Sequence, residues 1–305
     1  MQHTLLSDIH FKGVGLHGGQ PVSMTVKPAG ADRGIVFKRI DLKRADNLIP
    51  ARWDLVTPSR LCTIIANVAG SSVSTIEHIM AALAGCGVHN ALIEIDGPEV
   101  PIMDGSSAEF VDGILAAGLE VQGKPLPSIR VLKAIEVREG EAIARLMPSD
   151  HLEIDFHIDF VDQAIGQQHK TLTMSNGTFV RELSDSRTFC RKADVDMMIA
   201  NGLALGGTME NAVVFQGAQV LSPGGLRHSD EPVRHKMLDA MGDLALAGAP
   251  LMAHYSGLRA GHAMTNKLLR ALFADDTAWR EEICSAQAVA QLPGAGLMLH
   301  GAAAA

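Results

Sequence analysis

The sequence predicts an α+β protein whose strands and helices are grouped in two halves. Three observations carry this prediction. Runs of β character alternate with segments of helical apolar spacing along both halves of the 305 residues. The stretch "VQGKPLPS" at 121–128, with Gly123, Pro125 and Pro127, breaks the pattern and makes the best boundary in the chain. In "HLEIDFHIDF", Leu152, Ile154, Phe156, Ile158 and Phe160 alternate with Glu153, Asp155, His157 and Asp159. That period of two belongs to a half-buried strand. We therefore expect one domain over 1–124, a second over 128–283, and a low-complexity tail over 284–305.

Taken in order, "QPVSMTVKPA", "GIVFKRID" and "LCTIIANV" read as strands. "SSVSTIEHIMAALAGCG" reads as a helix, with Ile76, Ile79, Met80 and Leu83 at helical spacing and Gly85 and Gly87 to stop it. "NALIEIDG" is a short strand, and "SSAEFVDGILAAG" a helix capped by serine and ended by Gly118. Past the boundary, residues 129–148 form a hairpin turning at Glu139-Gly140, followed by the alternating strand. A Met- and Gly-rich stretch from Asp194 to Met209 holds a short helix, "ADVDMMIANG". A longer helix starts near Ser229 or Asp230, carries Pro232 in its first turn and ends at Gly248. The strand "LMAHYSG" and the helix "GHAMTNKLLRALFADD" complete the second half.

Acidic residues outnumber basic ones, 34 to 26, for a net charge of −8, which argues against a nucleic-acid partner. A hydrophobic content of 47% with 20% charged residues suits a globular chain. Cys62, Cys86, Cys190 and Cys284 are scattered, so neither a disulfide framework nor a cysteine zinc site is expected, and a reducing compartment is. The first residues show no signal-peptide pattern, and no apolar run is long enough for a transmembrane segment. The cytoplasm is the expected location.

The chemistry concentrates in "RHKMLDAMGD", residues 234–243. At about 100° per residue, Val233, Met237, Leu238, Met241, Leu244 and Ala245 share one apolar arc. His235, Asp239 and Asp243 step four apart along a separate stripe, with Lys236 beside it. One reading is a solvated face; the other is that His235 and Asp239 meet a single metal ion, as i,i+4 ligands do. The stripe is short-armed, with Ala240 and Gly242 between its members, which lets something approach closely. His78 is the third candidate ligand, on a helix side shared with small residues, and alone it reads equally as a satisfied polar group. Glu77 is either a base for metal-activated water or, in Ser74-x-x-Glu77, the end of a capping box. His262 is either an exposed or capping residue or a general acid whose tautomer Asp243 fixes. His17, in the glycine-rich "GVGLHGG", carries no phosphate-loop signal because no helix follows it.

Together "GVGLHGG", "STIEHIMAAL", "PIMDGSS", "SRTF", "GGTMENAVV", "RHKMLDAMGDL" and "GHAMTNKLL" resemble one family over nearly the whole chain. It is the zinc-dependent UDP-3-O-acyl-N-acetylglucosamine deacetylases of lipid A biosynthesis. The resemblance implies two α/β sandwich domains, each a sheet layered with helices, and an active site between them. It implies Zn2+ on His78, His235 and Asp239, Glu77 as general base, and His262 as the protonated residue oriented by Asp243. It further implies that Thr188 hydrogen-bonds the developing oxyanion and that Lys236 meets the nucleotide or hexosamine. An apolar passage for the acyl chain would use Phe189, Val195, Met198, Ala204, Gly207, Thr208 and Val214, although ordinary core packing explains half of these equally well. The implied partner is a small acylated UDP-sugar, taken as substrate; the chain itself is expected to be a monomer. Two departures stand out: Phe160-Val161-Asp162-Gln163 where relatives run into His-Pro, and Cys190 where glycine commonly follows Thr-Phe. The competing reading is a catalytically silent acyl- or nucleotide-sugar-binding protein, which should have lost part of the set Glu77, His78, His235, Asp239, Asp243 and His262.

Overall fold

In the computed structural model, which describes residues 1–43, 46–59 and 61–297, the alternating runs become strands whose apolar side chains face helices. In the first half a five-stranded sheet runs Ile9–Val14, Pro21–Pro28, Ala91–Ile95, Ile35–Arg39, Leu48–Pro50. Its central pair, Ala91–Ile95 with Ile35–Arg39, is parallel and the other pairs are antiparallel. Two helices belong to this half, α1 (Glu77–Cys86) and α2 (Ala108–Ala117). Phe110 of α2 meets Phe11 of the sheet edge-on at 5.0 Å, fixing that layer.

The second half is built on a seven-stranded sheet around Leu251–Leu258, which pairs with Ala142–Pro148, Glu153–Asp159 and Pro127–Val131. Its helices are α3 (Thr178–Glu182), α4 (Lys192–Ala200), α5 (Glu231–Ala245), α6 (His262–Phe273) and α7 (Ala286–Val289). Helices α5 and α6 pack against this sheet. The buried Tyr255 reaches Thr265 of α6 with its hydroxyl, at 3.2 Å. The architecture is thus the α+β one expected, with mixed sheets layered against helices.

Strand pairing among the described residues stays within each half; α1 against α5 joins them. Their crossing explains the short-armed stripe. A Cβ at Gly242 would lie 2.0 Å from the Glu77 carbonyl oxygen and 3.1 Å from the Ala81 nitrogen, so only glycine lets the two backbones meet there. What approaches α5 closely is the first turn of α1.

Several local expectations change. Ser72–Ser74 is a strand paired with Ile64–Ala66, not the start of a helix, and α1 begins only at Glu77 after Thr75 turns the chain at φ 57°. Of the two serines before α2, Ser106 accepts the Ala108 N–H, while Ser107 donates to the His78 carbonyl oxygen at 2.8 Å. Helix α5 stops at Ala245, and Gly248, at φ 91°, closes the turn beyond it. Residues 284–297, within the expected tail, carry α7 and bury Leu292, and Gly294 lies against the end of α1; residues 298–305 lie outside the described part. A cavity of about 440 Å³ opens behind α1 and α5, lined by Met80, Leu83, Met241, Leu244, Leu126 and Leu292. It touches none of the polar stripe.

Candidate active site

Each of the two joining helices brings its polar groups to the crossing. From α1 come Glu77 and His78; from α5 come His235, Lys236, Asp239 and Asp243; from the first turn of α6 comes His262. Glu77, His78, His235, Asp239 and Asp243 are all buried, so the solvated-face reading of the stripe fails. Buried charge must be paired or must hold a cation.

His78, His235 and Asp239 present one ligand atom each, all within 4.8 Å of one another. Asp239 Oδ1 stands 3.3 Å from His235 Nε2 and 3.7 Å from His78 Nε2, and it is buried without a hydrogen-bond partner. Its other oxygen accepts from Lys236 Nζ at 2.6 Å. The His235 Nδ1–H is oriented by the Ser186 carbonyl oxygen at 3.0 Å, which turns Nε2 toward the aspartate. Burial holds His235 down at about 4, so its imidazole is neutral, the form that ligates. Burial also disfavours the Asp239 charge, but His235, Lys236 and His262 outweigh it and hold the carboxyl well below its ordinary range. Two imidazoles and one ionised, unsatisfied carboxylate oxygen make a donor set that fits a divalent cation.

Beside it sits a second constellation. His262 Nδ1 meets Asp243 Oδ2 at 2.8 Å, and its Nε2 lies 3.8 Å from both Glu77 Oε1 and Asp239 Oδ2. Burial alone would lower the His262 pKa, but the Asp243, Glu77 and Asp239 charges raise it to about 9, so the ring is protonated at neutral pH. Burial is the main influence on Glu77 and pushes its carboxyl upward. The capping-box alternative fails: Ile76 occupies the cap position, Ser74 Oγ goes to the Pro98 carbonyl, and Glu77 Oε2 takes the Thr63 N–H at 3.0 Å.

The segment 186–189 flanks the cluster. Ser186 holds His235, and Phe189 meets the His235 ring edge-on at 6.3 Å; Thr188, between them in the chain, donates its N–H to the Gly105 carbonyl oxygen at 2.7 Å. The segment is anchored by the buried Arg187–Glu231 pair at 2.9 Å. Asp162, in the departing Phe160–Gln163 loop, accepts from the Gly217 N–H at 2.8 Å and from Arg191, clamping the strands Phe189–Arg191 and Val213–Gln216. Of the expected passage residues, Val214 is buried in that small sheet and Phe189, Val195, Met198 and Ala204 are half-buried, whereas Gly207 and Thr208 are exposed. Helix α4 buries no residue and shows Met197 and Ile199 to solvent.

The glycine-rich turn directs its amides to a side chain of the same half. Its His17 and Gly18 N–H groups grip the Glu99 carboxylate, each at 2.8 Å. Leu205 and Gly206 then donate their N–H groups to the carbonyls of His17 and Leu16, fastening the Met- and Gly-rich segment to the first half. Sequence reasoning missed Thr63, Ser186 and Glu231, whose roles depend on contacts with residues remote in the chain. No helix among the described residues is long and apolar enough to cross a membrane.

Comparison with known proteins gives the family. Residues 2–274 match the family described as LpxC, UDP-3-O-acyl N-acetylglycosamine deacetylase. The UDP-3-O-acyl-N-acetylglucosamine deacetylase of Phenylobacterium zucineum is 48% identical over 279 residues, covering 92% of this chain and 95% of its own. Those of Shewanella frigidimarina (44% over 305 residues; 99% and 98% covered) and Idiomarina loihiensis (44% over 280; 91% and 91%) are also similar. This chain, matched almost end to end, belongs to the UDP-3-O-acyl N-acetylglycosamine deacetylase family.

Proposed function

We propose that this chain hydrolyses the N-acetyl group of a UDP-3-O-acyl-N-acetylglucosamine, releasing acetate and the free amine, as a zinc-dependent step of lipid A biosynthesis. One observation carries the reading: the buried, unpartnered Asp239 Oδ1 facing the Nε2 atoms of His78 and His235. These three residues would hold the ion. Bound there, a divalent cation supplies Lewis acidity that lets water lose a proton near neutral pH. Glu77 Oε1, facing the site opposite His262, takes that proton. Thr188 donates a hydrogen bond to the tetrahedral oxygen, a contribution of about 3 kcal/mol for a preorganised donor. His262, protonated and held by Asp243, stabilises that oxygen or delivers its proton to the departing amine. Lys236 orients the hexosamine or nucleotide from beside Asp239.

For the acyl chain we assign Phe189, Val195, Met198, Ala204, Gly207, Thr208 and Val214 to the passage. Exposed apolar side chains on the same segment support this, among them Met197, Leu203 and Leu205, which in water would otherwise be left bare. Free cysteines at all four positions are consistent with a cytoplasmic, reducing setting. The test is acetate release from acylated UDP-N-acetylglucosamine. Activity should disappear with a chelator and return with zinc, and a metal-free protein that deacetylates at full rate would overturn the reading.

A further inference from the structure

Glu77 and Asp243 stand on different helices, yet one residue outside both holds them. Thr63 is 3% exposed and precedes the strand Ile64–Ala66. It donates its N–H to Glu77 Oε2 at 3.0 Å and its hydroxyl to Asp243 Oδ1 at 2.5 Å. Its carbonyl oxygen accepts from the Ile76 N–H, the residue before α1, at 3.5 Å. Each carboxylate therefore spends one oxygen on Thr63 and turns the other to His262. Asp243 Oδ2 meets Nδ1 at 2.8 Å, and Glu77 Oε1 faces Nε2 at 3.8 Å. Thr63, Glu77, His262 and Asp243 form a closed ring.

We propose that Thr63 is a positioning residue for the deacetylation. It sets which oxygen of the base is free to receive a proton and which oxygen of Asp243 aligns the acid. The inference rests on the function proposed above. Its two contacts differ in kind: the amide survives substitution by any residue but proline, whereas the contact to Asp243 requires a hydroxyl. An ionised carboxylate only accepts, so the hydroxyl hydrogen has one destination there.

The experiment compares Thr63→Val, which keeps shape and amide but loses the hydroxyl, with Thr63→Ser, which keeps both contacts. In the zinc-loaded enzyme, Thr63→Val should lower kcat roughly 10- to 100-fold, the scale of one hydrogen bond to a charged group, with KM within about twofold. Zinc content should stay at the parent level, and Thr63→Ser should recover most of the rate. In an Asp243→Asn background Thr63→Val should add little further loss, because both changes break one unit. A readout free of turnover is the low-field proton resonance of His262 Nδ1–H, assigned by its loss in His262→Gln. It should move in Thr63→Val and stay in Thr63→Ser. If the parent chain released no acetate, the proposed function would fail while this resonance still tested the ring. Parental turnover with an unmoved resonance in Thr63→Val, equal impairment by serine, or additivity with Asp243→Asn would overturn the proposal. Thr63→Ala replaces valine in the same comparison should valine prevent folding.

Discussion

Substituting alanine for Gly242 tests the crossing of α1 and α5 directly, because two effects of opposite sign compete there. In a helix interior alanine is favoured over glycine by about 1 kcal/mol. Against this, the new Cβ would lie 2.0 Å from the oxygen and 2.8 Å from the carbon of the Glu77 carbonyl, and 3.1 Å from the Ala81 nitrogen. All three are backbone atoms that no rotamer change can move. Restoring ordinary contact at 3.4 Å drives the helices apart by about 1.4 Å at this point. Overpacking of this kind costs about 1–3 kcal/mol, and the rigidity of both partners puts it near the upper end, so Gly242→Ala should destabilise by about 1–2 kcal/mol net. The same movement carries Glu77 and His78 away from His235 and Asp239. A displacement near 1 Å at a reacting centre costs on the order of 100-fold in rate. Urea unfolding, zinc titration and acetate release, measured on one preparation, should fall together. A variant that is more stable than the parent, binds zinc equally well and turns over normally would show that propensity wins and that the backbones do not meet as described.

Further outcomes follow from the same geometry. Glu77→Gln should retain zinc and lose on the order of 100-fold or more in kcat. Burial already disfavours the Glu77 charge, so its unfolding midpoint at neutral pH should hold or rise; near-parental turnover would remove Glu77 from the role of base. His235→Ala should lose tight zinc binding and activity together, read by elemental analysis after dialysis, and retention of the metal would exclude His235 as a ligand. His262 has a pKa in the fold of about 9 against an ordinary 6.5, so the stability it confers on the metal-stripped protein is complete below 6.5 and lost as pH rises through 9. His262→Gln should flatten the unfolding midpoint across that window, and an unchanged slope would refute the assignment. In the active enzyme, protonated His262 and ionised Glu77 together require a rate that falls on both the acid and alkaline sides, and a rate flat in pH would contradict both roles.

How much of this was legible in the chain depended on distance along it. The polar stripe of α5 was visible because one helix fixes the i,i+4 spacing of His235 and Asp239. His78 stood out as a candidate third ligand by its small-residue helix side, but its proximity to that pair depends on the crossing at Gly242, which no local pattern records. Thr63 gave no signal at all, because its hydroxyl partner lies 180 residues away. The helix start at 71–76 failed for a related reason: Val73 is β-branched and flanked by serines, and pairing with Ile64–Ala66 claimed the segment for a sheet. The strand Gln167–Thr173 was missed because its seven residues, QQHKTLT, include one aliphatic side chain, leaving an edge strand without apolar alternation. The glycines before residue 20 signalled a bend in the backbone. That its amides would hold Glu99 required knowing where residue 99 returns.

The lock between the turn at 15–19 and residues 205–206 makes the Met- and Gly-rich segment answer to the first half of the chain. A Cβ at Gly206 would lie 2.2 Å from the Gly15 carbonyl oxygen, so this fastening is as tight as the seam at Gly242, and it stands on a different part of the perimeter. Glycine at 206 is what lets the two backbones touch, as glycine does at 242. Any shift of the turn at 15–19 is therefore passed directly to the stretch that carries α4, and a bulkier residue at 206 would part the two.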